Sequence, residues 1–229
     1  MATSLFSTSR DARMNTLTEF LEADDQMVAR QLITAIGYET GLGHADYDHP
    51  VGPDTLLIMS PLDADFFADG YMDAVPVWPG CQAVLWFNSY DLPNGGENIA
   101  ILMHQFQSTK APMKHAVIIA SLSQSAGEIR AMILWAVQNG IPLDEVRVES
   151  PWMTDSVHQQ LTRDFGDEFV RKALASVGFV PDSLGAGVNL ARRLNLPEKG
   201  LTYLPSFVAD QINGEPGPCG KPGLFTATP

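Results

Sequence analysis

Apolar residues recur at helical spacing at the start of the chain. Hydrophobic positions lie three or four residues apart in residues 14–21 and again in residues 27–36, which predicts two amphipathic helices. Asp24 or Asp25 is placed to cap the second helix. Three glycines follow its last apolar position, and they predict that this helix ends and a polar loop begins. These glycines are Gly37, Gly41 and Gly43.

The middle of the chain has the pattern of a β-sheet. Residues 55–59 form a short apolar run, and the longer runs 81–90 and 98–106 are rich in β-branched and aromatic residues. An Asn-Gly-Gly turn lies between the two longer runs, so we expect them to be antiparallel neighbours in a hairpin. Residues 62–75 combine aromatic residues with aspartates, a pattern that fits either a short helix or an ordered loop.

From residue 115 onward the pattern changes to strand, helix and strand. Residues 115–122 are apolar, residues 128–139 have helical spacing, and residues 146–148 are apolar again. This is the outline of a βαβ unit with parallel strands. The last third is predicted to be helical, with two amphipathic segments broken near Gly166 and a further helix over residues 184–194.

Together these elements predict a single α/β domain over residues 1–229. Its mixed sheet of about five strands combines an antiparallel hairpin with one βαβ unit, and N- and C-terminal helices cover it. We expect a loose N-terminal arm over residues 1–9, an α/β core over 10–213 and a Pro/Gly-rich tail over 214–229. With 45% hydrophobic and 18% charged residues, the composition excludes disorder over the whole length.

Charge is concentrated at the N-terminal end of the chain. The sequence has 27 Asp and Glu against 14 Lys and Arg, a net charge of −13, and residues 1–75 contribute 13 acids and 3 bases, or −10. No Lys or Arg occurs between Arg30 and Lys110. Because nucleic acids and anionic membranes are bound through Lys and Arg, this third is a poor surface for either. It favours a cation, a basic protein partner or another copy of the chain.

The cysteines and the apolar runs bear on localisation. Cys81 and Cys219 are too few for a disulfide scaffold and lack the spacing of a metal site. The first residues have no basic segment followed by an apolar run of signal-peptide length, and no apolar run is long enough to span a bilayer. We therefore expect a soluble, cytoplasmic protein.

The densest group of candidate metal ligands follows the second helix. In an extended loop, alternate side chains point the same way, so these residues are able to converge on one divalent cation, the one cofactor that the sequence suggests. Such an ion lowers the pKa of a bound water for hydrolysis. The alternative is a solvated loop in which Asp and His serve as turn and cap residues. The four residues are His44, Asp46, Asp48 and His49.

A second candidate site lies between a predicted strand and a predicted helix. Ser123, Ser125 and Gly127 are small or polar, and the helix N-terminus behind them would offer backbone N–H groups to a phosphate or carboxylate. In open α/β sheets, ligands collect outside the carboxyl ends of the strands. The alternative is ordinary helix capping by Ser123 or Ser125.

Two functional hypotheses follow from these observations. The first is a non-catalytic binding or assembly protein whose acidic N-terminal third docks on a basic partner or on another copy of itself. The second is a divalent-metal-dependent hydrolase with its ligands between His44 and His49. The sequence leaves open whether the protein is an enzyme.

Overall fold

The architecture is that of an α/β protein built on a mixed sheet, as the sequence predicts. The computed structural model describes residues 15, 18–44, 51–91, 97–107, 112–123, 125–174, 177–185, 192, 194, 196, 203–206 and 208–209. The predicted arm and tail, residues 1–9 and 214–229, lie outside these residues.

The main sheet has five strands in the order β3-β2-β1-β4-β6. All neighbouring pairs are parallel except β2 and β3, which form the predicted antiparallel hairpin. All five residues of β1 are buried, which is typical of a central strand covered on both faces. The strands are β1 (Thr55–Met59), β2 (Cys81–Asp91), β3 (Glu97–Gln107), β4 (His115–Ile119) and β6 (Val146–Glu149).

A second, smaller sheet was not predicted. Its three short parallel strands have the order β5-β7-β8, and they are β5 (Leu122–Ser123), β7 (Trp152–Thr154) and β8 (Phe179–Val180). Strand β5 follows β4 in the chain and β7 follows β6, so this sheet extends the main one beyond the carboxyl ends of those strands. Strands of two or three residues are too short to show a period in the sequence.

The helices connect these strands. Residues 62–75, which fitted either a helix or a loop, contain a nine-residue helix, and the predicted break near Gly166 separates two helices. The predicted helix over 184–194 is described only at its start. The described residues of the first predicted helix, 15 and 18–21, are helical, as is residue 22. The helices that follow are α1 (Gln26–His44), α2 (Phe66–Ala74), α3 (Ala126–Gln138), α4 (Asp155–Phe165), α5 (Asp167–Ala173) and α6 (Asp182–Gly185).

The predicted end of α1 was wrong. The helix runs through Gly37, Gly41 and Gly43 to His44, and Asp25 caps its start by accepting a hydrogen bond from the N–H of Met27 (2.7 Å). A Cβ atom on Gly37 would lie 2.1 Å from the carbonyl oxygen of Phe67 in α2, and one on Gly70 of α2 would lie 1.9 Å from that of Thr34. The glycines therefore allow two helix backbones to touch, and they do not terminate the helix.

Two apolar cores flank the main sheet. Leu57 and Met59 of β1 pack with Phe67 and Tyr71 of α2 on one face, while Leu56 and Ile58 pack with the apolar side of α3 on the other. The alternation follows from the two-residue period of a strand. Helices α2 and α3 thus lie on opposite faces of the sheet.

We expect Gly37→Ala to destabilise the protein, although alanine is the better helix former by about 1 kcal/mol. The added methyl group would overlap the backbone of α2, so we expect a loss of about 1–3 kcal/mol in the free energy of unfolding, measured by urea denaturation. Ala35→Leu, which adds more volume to the exposed side of α1, serves as the control and should stay close to wild type. A Gly37→Ala protein as stable as wild type would contradict the close helix contact.

Candidate functional site

In the strand order β3-β2-β1-β4-β6, successive connections run to one side of β1 first and to its other side afterwards. From β1 the chain crosses through α2 to β2 on one side, and from β4, on the other side of β1, it crosses through α3 to β6. Because α2 and α3 cover opposite faces, the loops that leave β1 and β4 lead to opposite faces of the sheet. Open α/β sheets bind their ligands at such a topological switch point.

A buried carboxylate joins the two loops at this switch point. Asp63, in the loop after β1, accepts hydrogen bonds at Oδ1 from the backbone N–H (2.9 Å) and the hydroxyl (2.5 Å) of Ser121, in the loop after β4. The hydroxyl of Ser60 donates to its Oδ2 (2.8 Å). Burial raises the pKa of Asp63, and the hydrogen bonds from Ser121 and Ser60 oppose that rise. These hydrogen bonds therefore hold the loops after β1 and β4 together.

A second carboxylate ties the C-terminal part of the chain to the same edge. Asp65 accepts hydrogen bonds at Oδ1 from the backbone N–H (2.8 Å) and hydroxyl (2.6 Å) of Ser206, and at Oδ2 from the hydroxyl of Tyr203. The indole N–H of Trp86 in β2 donates to the carbonyl oxygen of Tyr203 (3.0 Å). Residues 203–206 therefore lie beside the loop after β1 and form part of the wall of this edge.

The predicted residue Ser123 lies in β5 and is buried. Its hydroxyl donates to the hydroxyl of Ser150 (3.2 Å), which in turn donates to the carbonyl oxygen of Trp152 (2.8 Å). This chain of hydrogen bonds links the segments that follow β4 and β6. Ser123 thus has a structural partner and helps to hold the second sheet in place.

Ser125 and Gly127 mark the start of α3. The hydroxyl of Ser125 accepts a hydrogen bond from the N–H of Glu128 (3.2 Å), so the capping interpretation is confirmed for this residue. A Cβ atom on Gly127 would lie 2.4 Å from Cγ1 of Ile99 in β3, so glycine lets the first turn of α3 approach that strand. The three predicted residues therefore share one edge of the sheet, but each also has a structural role.

Buried polar side chains are concentrated along this edge. Among the described residues ten polar or charged side chains are buried, and seven of them follow or end a parallel strand at its carboxyl end. Such groups destabilise a fold unless they are hydrogen-bonded, so their grouping at one edge separates a polar rim from two apolar cores. The seven are Asp63, Asp65, Ser121, Ser123, Glu149, Ser150 and Thr154.

Sequence reasoning missed Asp63, Asp65 and Tyr203. A signal for the first two was present, because both carboxylates follow the apolar run of β1 within a few residues. Acidic residues directly after a buried parallel strand lie at the edge where ligands bind. Tyr203 is about 140 residues away in the chain, and only the tertiary structure brings it to Asp65.

The predicted metal loop lies largely outside the described residues. His44 is the last residue of α1, so its backbone is helical and the expected extended loop does not include it. Asp46, Asp48 and His49 are not among the residues that the structure describes. Within the described part of the chain, no group of three or more His, Cys, Asp or Glu side chains is arranged to hold a metal ion. The metal site stays a prediction.

Two other reactive side chains, Cys81 and His115, have structural roles. Cys81 opens β2 and is buried, and burial raises the pKa of its thiol to about 12, which leaves it protonated and a poor nucleophile at neutral pH. Nδ1 of His115 lies 2.7 Å from Oε2 of Glu145, across the start of β4. Neither residue is at the carboxyl edge.

A separate cleft of about 650 Å³ lies between α4 and α5. Val170, Leu174 and Phe179 supply its apolar lining, and His158 and Arg171 are among its polar residues. The ring of His158 meets that of Phe179 edge to face, with centroids 4.6 Å apart. None of the predicted site residues lines this cleft.

The fold is that of an open α/β protein with a mixed sheet whose strand order changes direction at β1. No protein-family model and no curated protein sequence matches the chain. Seventeen chains of solved structures match. One of them is the AQ2163 protein from Aquifex aeolicus, with a TM-score of 0.50 and 10% sequence identity. The match covers 76% of this chain and 84% of that chain. This likeness shows a shared fold alone.

An APRTase from Giardia lamblia, solved in complex with 9-deazaadenine, also matches. It is 11% identical, and the match covers 76% of this chain and 80% of that chain. Its TM-score of 0.35 is too low to support an argument about this protein.

Among the described residues, none of the helices has both the length and the apolar character needed to cross a bilayer.

We expect Asp63→Ala to lower the free energy of unfolding by about 3 kcal/mol, because it leaves the buried N–H of Ser121 without its acceptor and removes two further hydrogen bonds. Chemical denaturation measures this loss. Asp144→Ala is the control: Asp144 is exposed, and this change should cost less than about 0.5 kcal/mol. Equal stability of the two variants would show that the Asp63 contact does not hold the loops together.

The second prediction concerns the pH dependence of stability that Asp69 in α2 causes. Asp69 in α2 lies at the surface, but the surrounding protein keeps part of the solvent from its carboxyl group. This partial desolvation, together with the negative charges of Asp65 and Asp73, raises the pKa of Asp69 from its ordinary 3.8 to about 6. Between these values the folded chain keeps a proton that the unfolded chain loses, so the free energy of unfolding falls as pH rises through this window.

Asp69→Asn should therefore be more stable than wild type at pH 7.5, by on the order of 1 kcal/mol after solvent screening. The difference should shrink as pH falls below about 6 and be lost near pH 4. Melting temperatures between pH 4 and pH 8 measure it, with Asp144→Asn as the control. A difference that does not change with pH would contradict the raised pKa.

Proposed function

We propose that this protein binds a small molecule carrying a phosphate or a similar anionic group at the β1/β4 switch point. The observation that supports this best is the topology: the loops after β1 and β4 part to opposite faces at the edge where the buried polar side chains gather. In this class of sheet the switch point is the usual ligand site.

The anionic group would bind at the start of α3. This helix has 13 residues, and its first turn presents backbone N–H groups and the positive end of the helix dipole toward the edge. Ser125 precedes it and accepts a hydrogen bond from the N–H of Glu128, and Gly127 lets the first turn lie close to Ile99 of β3. The segments 60–65 and 121–127 contain no Lys or Arg, so backbone groups would supply the donors.

The net charge of −13 opposes an anionic ligand only at long range. At physiological ionic strength, charges separated by more than about 8 Å are largely screened, so the local donors decide the affinity. The hydrogen bonds of Asp63 to Ser121 and Ser60 engage that carboxylate within the protein. The remaining negative charge selects against ligands of high charge and favours a single phosphate.

Ala126→Pro is a sharp test of this proposal. Ala126 is the first residue of α3, where proline is tolerated, and Ser125 before it has φ −120° and ψ 111°, an extended conformation that a following proline favours. The variant removes one backbone donor while the helix remains. Asp167→Pro makes the same backbone change at the first residue of α5 and serves as the matched control.

The ligands to be tested are inorganic phosphate, a hexose 6-phosphate and a nucleoside 5′-monophosphate. The free hexose and the free nucleoside serve as controls without a phosphate group. At about 100 times Kd a ligand adds roughly 2.7 kcal/mol of stability, or about 5–10 °C in Tm for a chain of this size. We expect such a shift in wild type and Asp167→Pro, and at least a tenfold weaker Kd in Ala126→Pro. The absence of a shift with every phosphate, or equal binding by both variants, would overturn the proposal.

A further inference from the structure

The outer face of α1 is apolar and carries no charge. Among the described side chains of this helix, every exposed one is uncharged, and they are Gln26, Met27, Val28, Gln31, Ala35, Tyr38 and Leu42. Four are large hydrophobic residues, with exposed fractions of 59% for Met27, 44% for Val28, 42% for Tyr38 and 43% for Leu42. We call the last six of these residues, from Met27 to Leu42, the α1 face.

The α1 face is a continuous stripe. At 100° per residue, positions 27, 28, 31, 35, 38 and 42 fall within an arc of about 100°, the width of the apolar side of a helix that is covered by another element. A helix of 19 residues is about 28 Å long. Exposed apolar residues in a contiguous patch, unlike scattered ones, mark an interaction surface.

The surroundings of the α1 face are acidic. Asp24 and Asp25 precede the helix, and Glu39 lies on its margin. Helix α2, which touches α1 through Gly70, exposes Asp69 and Asp73. Arg30, the one Lys or Arg of α1, donates hydrogen bonds to the carbonyl oxygen of Leu194. The surface therefore has an apolar centre with a negative border.

We infer that the α1 face docks an amphipathic helix of another protein, with an apolar seam flanked by Lys or Arg. The apolar seam covers Val28, Tyr38 and Leu42, and the basic flanks meet the acidic border, so the two surfaces are complementary in both respects. A second copy of the chain is the poorer partner, because it would bring its own acidic border and another net charge of −13. The inference is independent of the proposed small-molecule site. It names the α1 face as the surface through which the acidic N-terminal third would bind a basic partner.

The probes are two synthetic amphipathic peptides of about 20 residues, matched to the length of α1. They share one leucine seam and differ only in having lysine or glutamate flanks. The variant Tyr38→Ser/Leu42→Ser removes apolar contact without changing charge, and Leu134→Ser/Val137→Ser does the same on the exposed side of α3, where the exposed fractions are 46% and 38%. Equal melting temperatures confirm that both variants are folded.

Fluorescence anisotropy should show that wild type binds the lysine peptide and not the glutamate peptide, more weakly at higher salt. We expect Tyr38→Ser/Leu42→Ser to bind at least tenfold more weakly and Leu134→Ser/Val137→Ser to match wild type. Equal loss in both variants, or equal binding of both peptides, would overturn the inference. Sedimentation that finds a wild-type dimer abolished by Tyr38→Ser/Leu42→Ser would overturn it too, since the second copy would then be the occupant.

Discussion

The backbone contact between α1 and α2 is the constraint on which this side of the molecule depends. Gly37 meets the carbonyl of Phe67, and Gly70 meets that of Thr34, at distances that a Cβ atom would not allow. Such contact fixes α2 closely against α1, and α2 in turn begins directly after Asp63 and Asp65. The position of the loop after β1 is therefore set by helix packing as much as by the sheet. The side of α1 that carries Ala29, Ile33, Ile36 and Thr40 is buried, and the α1 face on the opposite side points outward.

The carboxyl edge of the sheet shows how buried acids are kept in a fold of this kind. An isolated buried carboxylate is strongly unfavourable, so each of the two is surrounded by donors from distant parts of the chain. Asp63 binds Ser121, and Asp65 binds Tyr203 and Ser206. These contacts stiffen the edge on which a ligand site would be built, since a preorganised site needs supporting hydrogen bonds behind it.

The net charge has a more specific meaning once the fold is known. Asp63 and Asp65 are internal, and Asp54 pairs with Lys114 (3.2 Å), so part of the acidic third is used within the protein. Asp69 and Asp73 remain exposed beside α1. The two proposals thus concern different acids. Asp63 and Asp65 are internal and hold the carboxyl edge of the sheet together, whereas Asp69 and Asp73 are exposed and border the α1 face.

The sequence alone determined the α/β class, the hairpin of β2 and β3 and the βαβ unit, because each depends on local periodicity or on a few adjacent residues. It left helix capping open between Ser123 and Ser125, and the structure shows Ser125 as the cap. It misjudged the end of α1, since the same glycine signal serves both a helix end and a close helix contact, and only the neighbour decides between them. The small second sheet and the meeting of Asp65 with Tyr203 also came only from tertiary structure. Short strands have no measurable period, and contacts between residues far apart in the chain leave no local pattern. The switch point itself is a property of the strand order. Right-handed crossovers on opposite faces of the sheet produce that order, and no single segment of the chain encodes it.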